Sequence, residues 1–284
     1  MRHRAAARGA PARPAAAGRY TSGHGRSSAL LWGAVLAGAL WLVACASAPT
    51  PDTRRSGFDF MGPSTQAMQR DDTQNPGMLW VQEGASLWQR PAGRSALACA
   101  DCHGPAATSM RGVAARYPAL DATTQQALNL GQRINQCREQ RQQANAFAPE
   151  SQALLGLESF VAMQSRGLPV NPPADARLAA VADRGAQLFG QRMGQLDLSC
   201  AQCHDMRAGQ RLGSSAIPQA HATGYPIYRL EWQAMGSLQR RIRNCMAGVR
   251  AEPFAYGAPD MVALELHLAS RARGLPVETP AVRP

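Results

Sequence analysis

The pentapeptides Cys99-Ala-Asp-Cys102-His103 and Cys200-Ala-Gln-Cys203-His204 stand 101 residues apart in a chain of 284, and they constrain its folding more than any other feature. A Cys-x-x-Cys-His sequence offers two thiols three residues apart with an imidazole directly behind them. That is the spacing at which two thioether bonds attach a haem through its vinyl groups while the histidine takes one axial position on the iron. A single copy also arises as half of a zinc site, but two copies at equivalent places of a duplicated chain point to covalent haem. Cys99, Cys102, Cys200 and Cys203 are then the attachment points, and His103 and His204 are iron ligands. The haems supply apolar surface that such small folding units could not otherwise bury.

The duplication is visible outside the motifs. Gly84-Ala-Ser-Leu-Trp88 matches Gly185-Ala-Gln-Leu-Phe189, each just ahead of its motif. Arg133-Ile134 and Cys137 match Arg241-Ile242 and Cys245 at an offset of 108, and Leu157-Glu158 through Gly167-Leu-Pro-Val170 match Leu264-Glu265 through Gly274-Leu-Pro-Val277 at 107. Asn171-Pro-Pro stops the last helix of the first repeat, which puts the boundary near 171–174 and gives folding units at 76–172 and 173–284. Periodicity within each unit is helical. Leu154, Leu157, Phe160 and Val161 recur on one face, as do Met261, Leu264 and Leu268 behind a capping Asp260, and Gly-x-Pro closes both helices. No strand run stands out. A mainly α chain of two tandem class I cytochrome c-like domains follows.

The N-terminus has a different character. Residues 1–28 carry arginine and no acid, and Ala29–Ala44 is uncharged and apolar, short for a membrane span but suited to the core of a signal peptide. It ends in Leu42-Val43-Ala44-Cys45, the pattern at which a lipoprotein precursor is cut, so residues 1–44 read as a lipoprotein-type signal peptide with Cys45 as the lipidation site. Ordinary cleavage near Ser47-Ala48 is the alternative, and Pro49 makes that junction poor. Either route exports the chain to the periplasm, where c-type haem is attached and disulfides persist. Residues 45–75, rich in Pro, Ser, Thr and Asp, read as a linker. Six arginines lie within 1–44, so removing that segment lowers the formal charge from +11 to +5, and the basic balance says little in favour of nucleic acid.

Each iron needs a second axial ligand. Met110, Met163, Met206, Met235, Met246 and Met261 are available, but none has a methionine at the matching place in the other repeat, and single helical methionines usually fill cores. His267 matches Phe160, a packing position, and His221 sits in an unmatched loop. Cys137 and Cys245 do recur, 35 and 42 residues beyond His103's and His204's own Cys-x-x-Cys motifs, where a distal ligand must return to the iron. Histidine and thiolate on each iron is therefore the preferred reading, with low potentials because thiolate stabilises ferric iron. The alternatives are a Cys137–Cys245 disulfide, or one cysteine as ligand and the other as spectator. On helices, Arg133 and Cys137, and Arg241 and Cys245, share a face at i and i+4.

With these residues in place the chain resembles the dihaem SoxA subunits of SoxAX cytochrome complexes, which act as L-cysteine S-thiosulfotransferases in bacterial sulfur oxidation. The resemblance runs from Pro76 to Val277. Its most specific parts are Arg133-Ile-Asn-Gln-Cys137-Arg138, Glu158 to Pro169, and Arg241-Ile-Arg-Asn-Cys245 followed by Val249-Arg-Ala-Glu-Pro-Phe254. It implies a catalytic Cys245 found as a persulfide, with Arg241 binding thiosulfate and two covalently bound haem c groups. It also implies a SoxX monohaem partner taking electrons and a SoxYZ carrier whose cysteine receives the thiosulfate. Arg243 and Arg250 add positive charge nearby, and Arg250 stands as an open second substrate contact. The i, i+4 pair alone does not single out the second repeat. A thiosulfate dehydrogenase forming tetrathionate and a non-catalytic electron-transfer cytochrome are the other functional readings.

Overall fold

The computed structural model describes residues 52–284, so the signal segment and Cys45 lie outside the described residues. Residues 53–284 fold as one unit. A 3-10 turn at Gly57–Phe60 is followed by α1 (Pro63–Arg70), α2 (Met78–Gln89), α3 (Cys99–His103), α4 (Ala106–Ser109), α5 (Leu130–Cys137) and α6 (Gln152–Met163). The second repeat contributes α7 (Ala179–Gly190), α8 (Cys200–His204), α9 (Leu238–Gly248) and α10 (Pro259–Arg271). Short strands connect them: β1 (Ala119–Leu120) with β2 (Ala127–Leu128), β3 (Arg211–Leu212) with β4 (Ser215–Ala216), and a three-stranded sheet of β5 (Ile227–Arg229), β6 (Ala234–Gly236) and β7 (Ala281–Arg283). Two or three residues are too few to show alternation, so these strands leave no periodic signal in the sequence.

Each repeat is organised by the crossing of its first and last long helices. At Gly84 in α2 a Cβ would overlap the Gly156 carbonyl of α6, and at Gly185 in α7 it would overlap the Ala263 carbonyl of α10. The glycines let the backbones touch, which accounts for the recurring Gly-Ala-x-Leu-aromatic sequence. Around the second crossing Leu188, Phe189, Ile242, Met246, Met261, Leu264 and Leu268 form a core, with Cys200 against it. Around the first, Trp88, Ala106 and Val161 are packed by Cys99, Met110 and Phe160.

Three expectations change. Asp260 is not the helix cap: Ala258 holds that position, Pro259 presets the first helical residue, and Asp260 sits inside the first turn, paired with Arg184 of α7 through bonds of 2.8 and 2.7 Å. Helix α6 ends at Met163, ahead of Asn171-Pro-Pro. And the supposed linker is folded over 57–70. The Gln69 side chain accepts from the Val282 amide at 3.1 Å and Asn75 donates to the Pro280 carbonyl at 2.8 Å, so this segment is held by the C-terminal strand. Polar composition hid a helix whose partner lies more than 200 residues away.

The two repeats join through their matching Gly-Leu-Pro-Val segments. Gly167 donates to Val277, Val277 to Leu168, Val170 to Leu275 and Gly274 to Val170, an exchange that runs antiparallel with Pro169 opposite Pro276. A cavity of about 440 Å³ is lined by residues of both repeats, including Tyr117, Glu150, Glu158, Tyr225 and Glu265. Among the described residues no helix is long and apolar enough to cross a membrane.

Candidate functional site

Each Cys-x-x-Cys-His motif is one short helix. In α8 the Ser199 hydroxyl caps the Gln202 amide and Gln202 accepts from the Ser199 amide at 2.8 Å; in α3 the Asp101 carboxylate accepts from the Ala98 amide at 2.7 Å. The two cysteines, at i and i+3, face the same side, with the histidine at the end of the turn. Ahead of each helix a tight hairpin closes through Ala92 with Leu97 and Met193 with Leu198. Its left-handed Gly93 or Gly194 leaves room for the Gln142 or Val249 carbonyl, which a Cβ would overlap and which accepts from the Ser95 or Leu196 amide, just beyond Cys137 or Cys245. Local sequence builds the motif, and this contact brings the distant cysteine to it.

Cys137 and Cys245 accordingly lie near their own motifs. Burial pushes the Cys99 thiol up, with Arg138 opposing and Cys137 adding to the rise; Cys137 is likewise raised by burial, opposed by Arg133 and Arg141. Burial, then the neighbouring Cys245, pushes Cys200 up to about 11. Among the described residues no disulfide joins Cys137 to Cys245, and no cluster of three or more His, Cys, Asp or Glu side chains has the grouping of a zinc site.

The His204 ring donates from Nδ1 to the Pro218 carbonyl at 2.7 Å, since a carbonyl can only accept. That fixes the tautomer and leaves Nε2 as the free donor atom for a metal. Burial holds the His204 value below the ordinary imidazole range. Two thiols on one helical face, an imidazole with its outer nitrogen already satisfied and a half-buried cysteine nearby fit a covalently held haem with two protein ligands.

The competing ligands are elsewhere. Met235, Met246 and Met261 are core residues at 1%, 5% and 0% exposure, and Met206 is 73% exposed. His267 packs at a tilt against Phe189 with ring centres 5.1 Å apart, and His221 donates to the Arg55 carbonyl at 2.7 Å. Met110 packs against the first core, while Met163 closes α6.

The two arginines at i−4 from the cysteines differ sharply in their surroundings. Arg133 faces Asp121 at 3.7 Å and donates to Gln136 at 2.5 Å, and Asp121 is almost fully buried and further bonded by Gln136 and the Thr123 amide. Its carboxyl is held below the usual range, first by Gln136. At the matching position of the second repeat stands Arg229, so the local acid is replaced by a base. Among the described residues the half-buried Arg241 side chain has no hydrogen bond or ion pair, and it lies close enough to His204 and Tyr225 to influence both. Arg243 is used structurally, donating to the Phe254 carbonyl and lying 4.6 Å over the Tyr256 ring. Arg250 is exposed, in a left-handed turn beside a second cavity of about 480 Å³ lined also by Met193, Met246 and Phe254.

Sequence reasoning missed Tyr225. It is half-buried beside Arg241 and Cys245, its hydroxyl raised first by desolvation, and it precedes a cis Pro226. The signal was present, because Tyr117-Pro118 recurs at the same offset of 108 and is also cis.

Two copies of a helix-crossing fold, each presenting Cys-x-x-Cys-His with a conjoined cysteine, define a c-type cytochrome. The SoxA/TsdA cytochrome c domain model matches residues 83–170 and again 184–277, and the chain belongs to that family, whose cofactor is covalently bound haem c. It is 38% identical to the L-cysteine S-thiosulfotransferase subunit SoxA of Rhodovulum sulfidophilum over 83% of this chain and 85% of that one. It is 36% identical to the SoxA subunits of Pseudaminobacter salicylatoxidans, with 82% of each chain covered, and of Paracoccus pantotrophus, with 83% and 81% covered. The crystal structure of SoxXA from P. pantotrophus superposes with a TM-score of 0.79 at 35% identity, covering 81% of this chain and 87% of that chain.

Proposed function

We propose that the chain is the SoxA-type subunit of an L-cysteine S-thiosulfotransferase, joining thiosulfate oxidatively to a cysteine of a SoxY-type carrier. The observation that carries this reading is the contrast between the two arginines. Arg133 is neutralised by Asp121, whereas Arg241 stands beside Cys245 without a partner among the described residues. A planar guanidinium left free next to a reactive sulfur suits the sulfonate end of a small dianion.

The reaction joins the carrier's thiol sulfur to the outer sulfur of thiosulfate, releasing two electrons and one proton. Haem supplies one-electron acceptance at each step. Arg241 orients thiosulfate. Cys245, in its persulfide form, presents a sulfur for covalent relay. Cys99, Cys102 and His103 with Cys137 would hold one haem in repeat 76–172, and Cys200, Cys203 and His204 with Cys245 would hold the second in repeat 173–284. Electrons leave to a SoxX-type monohaem partner, and SoxYZ is the carrier. The chain works in the periplasm after removal of residues 1–44, with Cys45 as a lipid tether.

Intact mass of the matured protein with and without reductant tests this. Two haem masses plus one reductant-labile sulfur mapping to Cys245, together with conjugate formation from thiosulfate, SoxYZ and the monohaem partner, are the expected results. Tetrathionate as the product would establish the dehydrogenase reading instead. A wild-type protein that forms no conjugate, with Cys245→Ser altering only the haem potential, would leave the electron-transfer cytochrome.

A further inference from the structure

We infer that Arg271 is a positioning residue that holds the His204 to Pro218 hydrogen bond and thereby sets the ligand strength of His204 towards its haem iron. The inference rests on the reading of His204 as an iron ligand. Thirteen residues separate His204 from Pro218, and they form an exposed loop with the small β3–β4 hairpin. A loop of that kind is a poor anchor for a carbonyl that must stay 2.7 Å from an imidazole.

Arg271, in the last turn of α10, ties both ends of the loop at once. Its Nη2 donates to the Asp205 carboxylate at 2.5 Å and to the Gln219 carbonyl at 3.2 Å. Asp205 directly follows His204, and Gln219 directly follows Pro218. The guanidinium lies 4.6 Å over the Phe189 ring, which is buried and tilted towards the His204 ring at 6.5 Å. One nitrogen of a planar guanidinium therefore bonds the residue after the donor and the residue after the acceptor, while the plane covers the aromatic wall beside the ring.

The first repeat solves the same problem differently. Gln164 occupies the place of Arg271 and donates to its own helix, at the Phe160 carbonyl, 2.9 Å away. Trp88 occupies the place of Phe189, and its indole N–H donates to the carbonyl of Gly104, the residue after His103, at 3.2 Å. Phe189 has no donor, so in the second repeat that task falls to Arg271. Among the described residues the His103 ring accepts or donates no hydrogen bond, so the clamp on a ring nitrogen belongs to the second repeat alone.

A histidine that donates its outer N–H to a carbonyl is a more basic ligand and favours ferric iron. Loosening the clamp weakens that bond and raises the potential. Removing the arginine's positive charge alone would act in the opposite direction, favouring ferric iron and lowering the potential. The test is a spectroscopically monitored redox titration, with EPR of the oxidised state, on the haem-loaded complex carrying Arg271→Lys or Arg271→Gln. Lysine keeps the charge but loses the planar guanidinium that lies over the Phe189 ring and fixes the direction of the two bonds.

An upward shift of the second-repeat potential in both variants, with altered g-values for that haem and an unchanged first haem, is the expected result. No shift in Arg271→Lys, or a downward shift in Arg271→Gln, overturns the inference. A parallel His204→Ala variant separates the inference from the reading beneath it. If the low-spin signal assigned to the second repeat survives that change, His204 is not the ligand, whatever the Arg271 variants do.

Discussion

At the scale of single residues, the two arginines differ in their surroundings through one exchange, Asp121 in the first repeat against Arg229 in the second. With Asp121 present, Arg133 is committed to an internal pair; without an acid at that place, Arg241 stays available. Arg241→Ala should raise KM for thiosulfate by roughly 10- to 100-fold, the loss of about 1.5–3 kcal/mol in charge-assisted hydrogen bonds, while Arg133→Ala leaves KM unchanged. Steady-state kinetics on the two variants decides it. Cys137→Ser is predicted to alter the spectrum and potential of the first haem while retaining measurable conjugation, and complete loss of turnover there would show that both cysteines are needed for chemistry. The i, i+4 pairing of arginine and cysteine was plain in the sequence. What distinguished the two copies was not, because Asp121 reaches Arg133 across a strand turn and no motif contains both.

Among the elements, the helix crossings carry most of the geometry. Gly185→Ala puts a methyl group into the Ala263 carbonyl of α10, backbone against backbone, with no flexible side chain to yield. A loss of about 3 kcal/mol in unfolding free energy is predicted, read as a lowered urea midpoint of the haem-loaded protein. Asp260→Ala is the contrasting case. Its bidentate pair with Arg184 is largely exposed, so the cost should stay below about 1 kcal/mol even though the sequence marks it as a helix-start residue. The element types were readable for α6 and α10, whose apolar period is long and clean. They were not readable for α1 or the strands, which are too short to show a period and owe their form to the C-terminal strand and the loops they touch.

On the scale of the whole molecule, the repeats share a buried acidic interior. Glu158, raised to about 8 by burial and then by Glu265 and Glu150, and Glu265, raised to about 7 by burial against the opposing bonds from Gln239 and Asn129, face one cavity. Asn129 reaches Glu265 from the other repeat at 2.9 Å, and Gln239 reaches it at 2.8 Å. Both carboxyls hold their proton more tightly folded than unfolded, where the value is 4.5. Their stabilisation is full below about pH 4.5 and is lost as pH rises through 7 and then 8. The thermal midpoint should therefore fall between pH 5 and pH 9, and Glu158→Gln should flatten that slope. An unchanged slope in the variant would exclude Glu158 as its source.

The sequence by itself determined the fold class and the candidate attachment and ligand residues, because thioether spacing, helical period and internal repetition are local or recur at a fixed offset. Tertiary structure decided which arginine is free, where the buried acids meet, that residues 57–70 are folded, and that Arg271 spans the loop behind His204. Each of those depends on side chains or backbone segments brought together from tens to more than 200 residues apart. Burial and partner geometry, rather than residue type, set what such groups do.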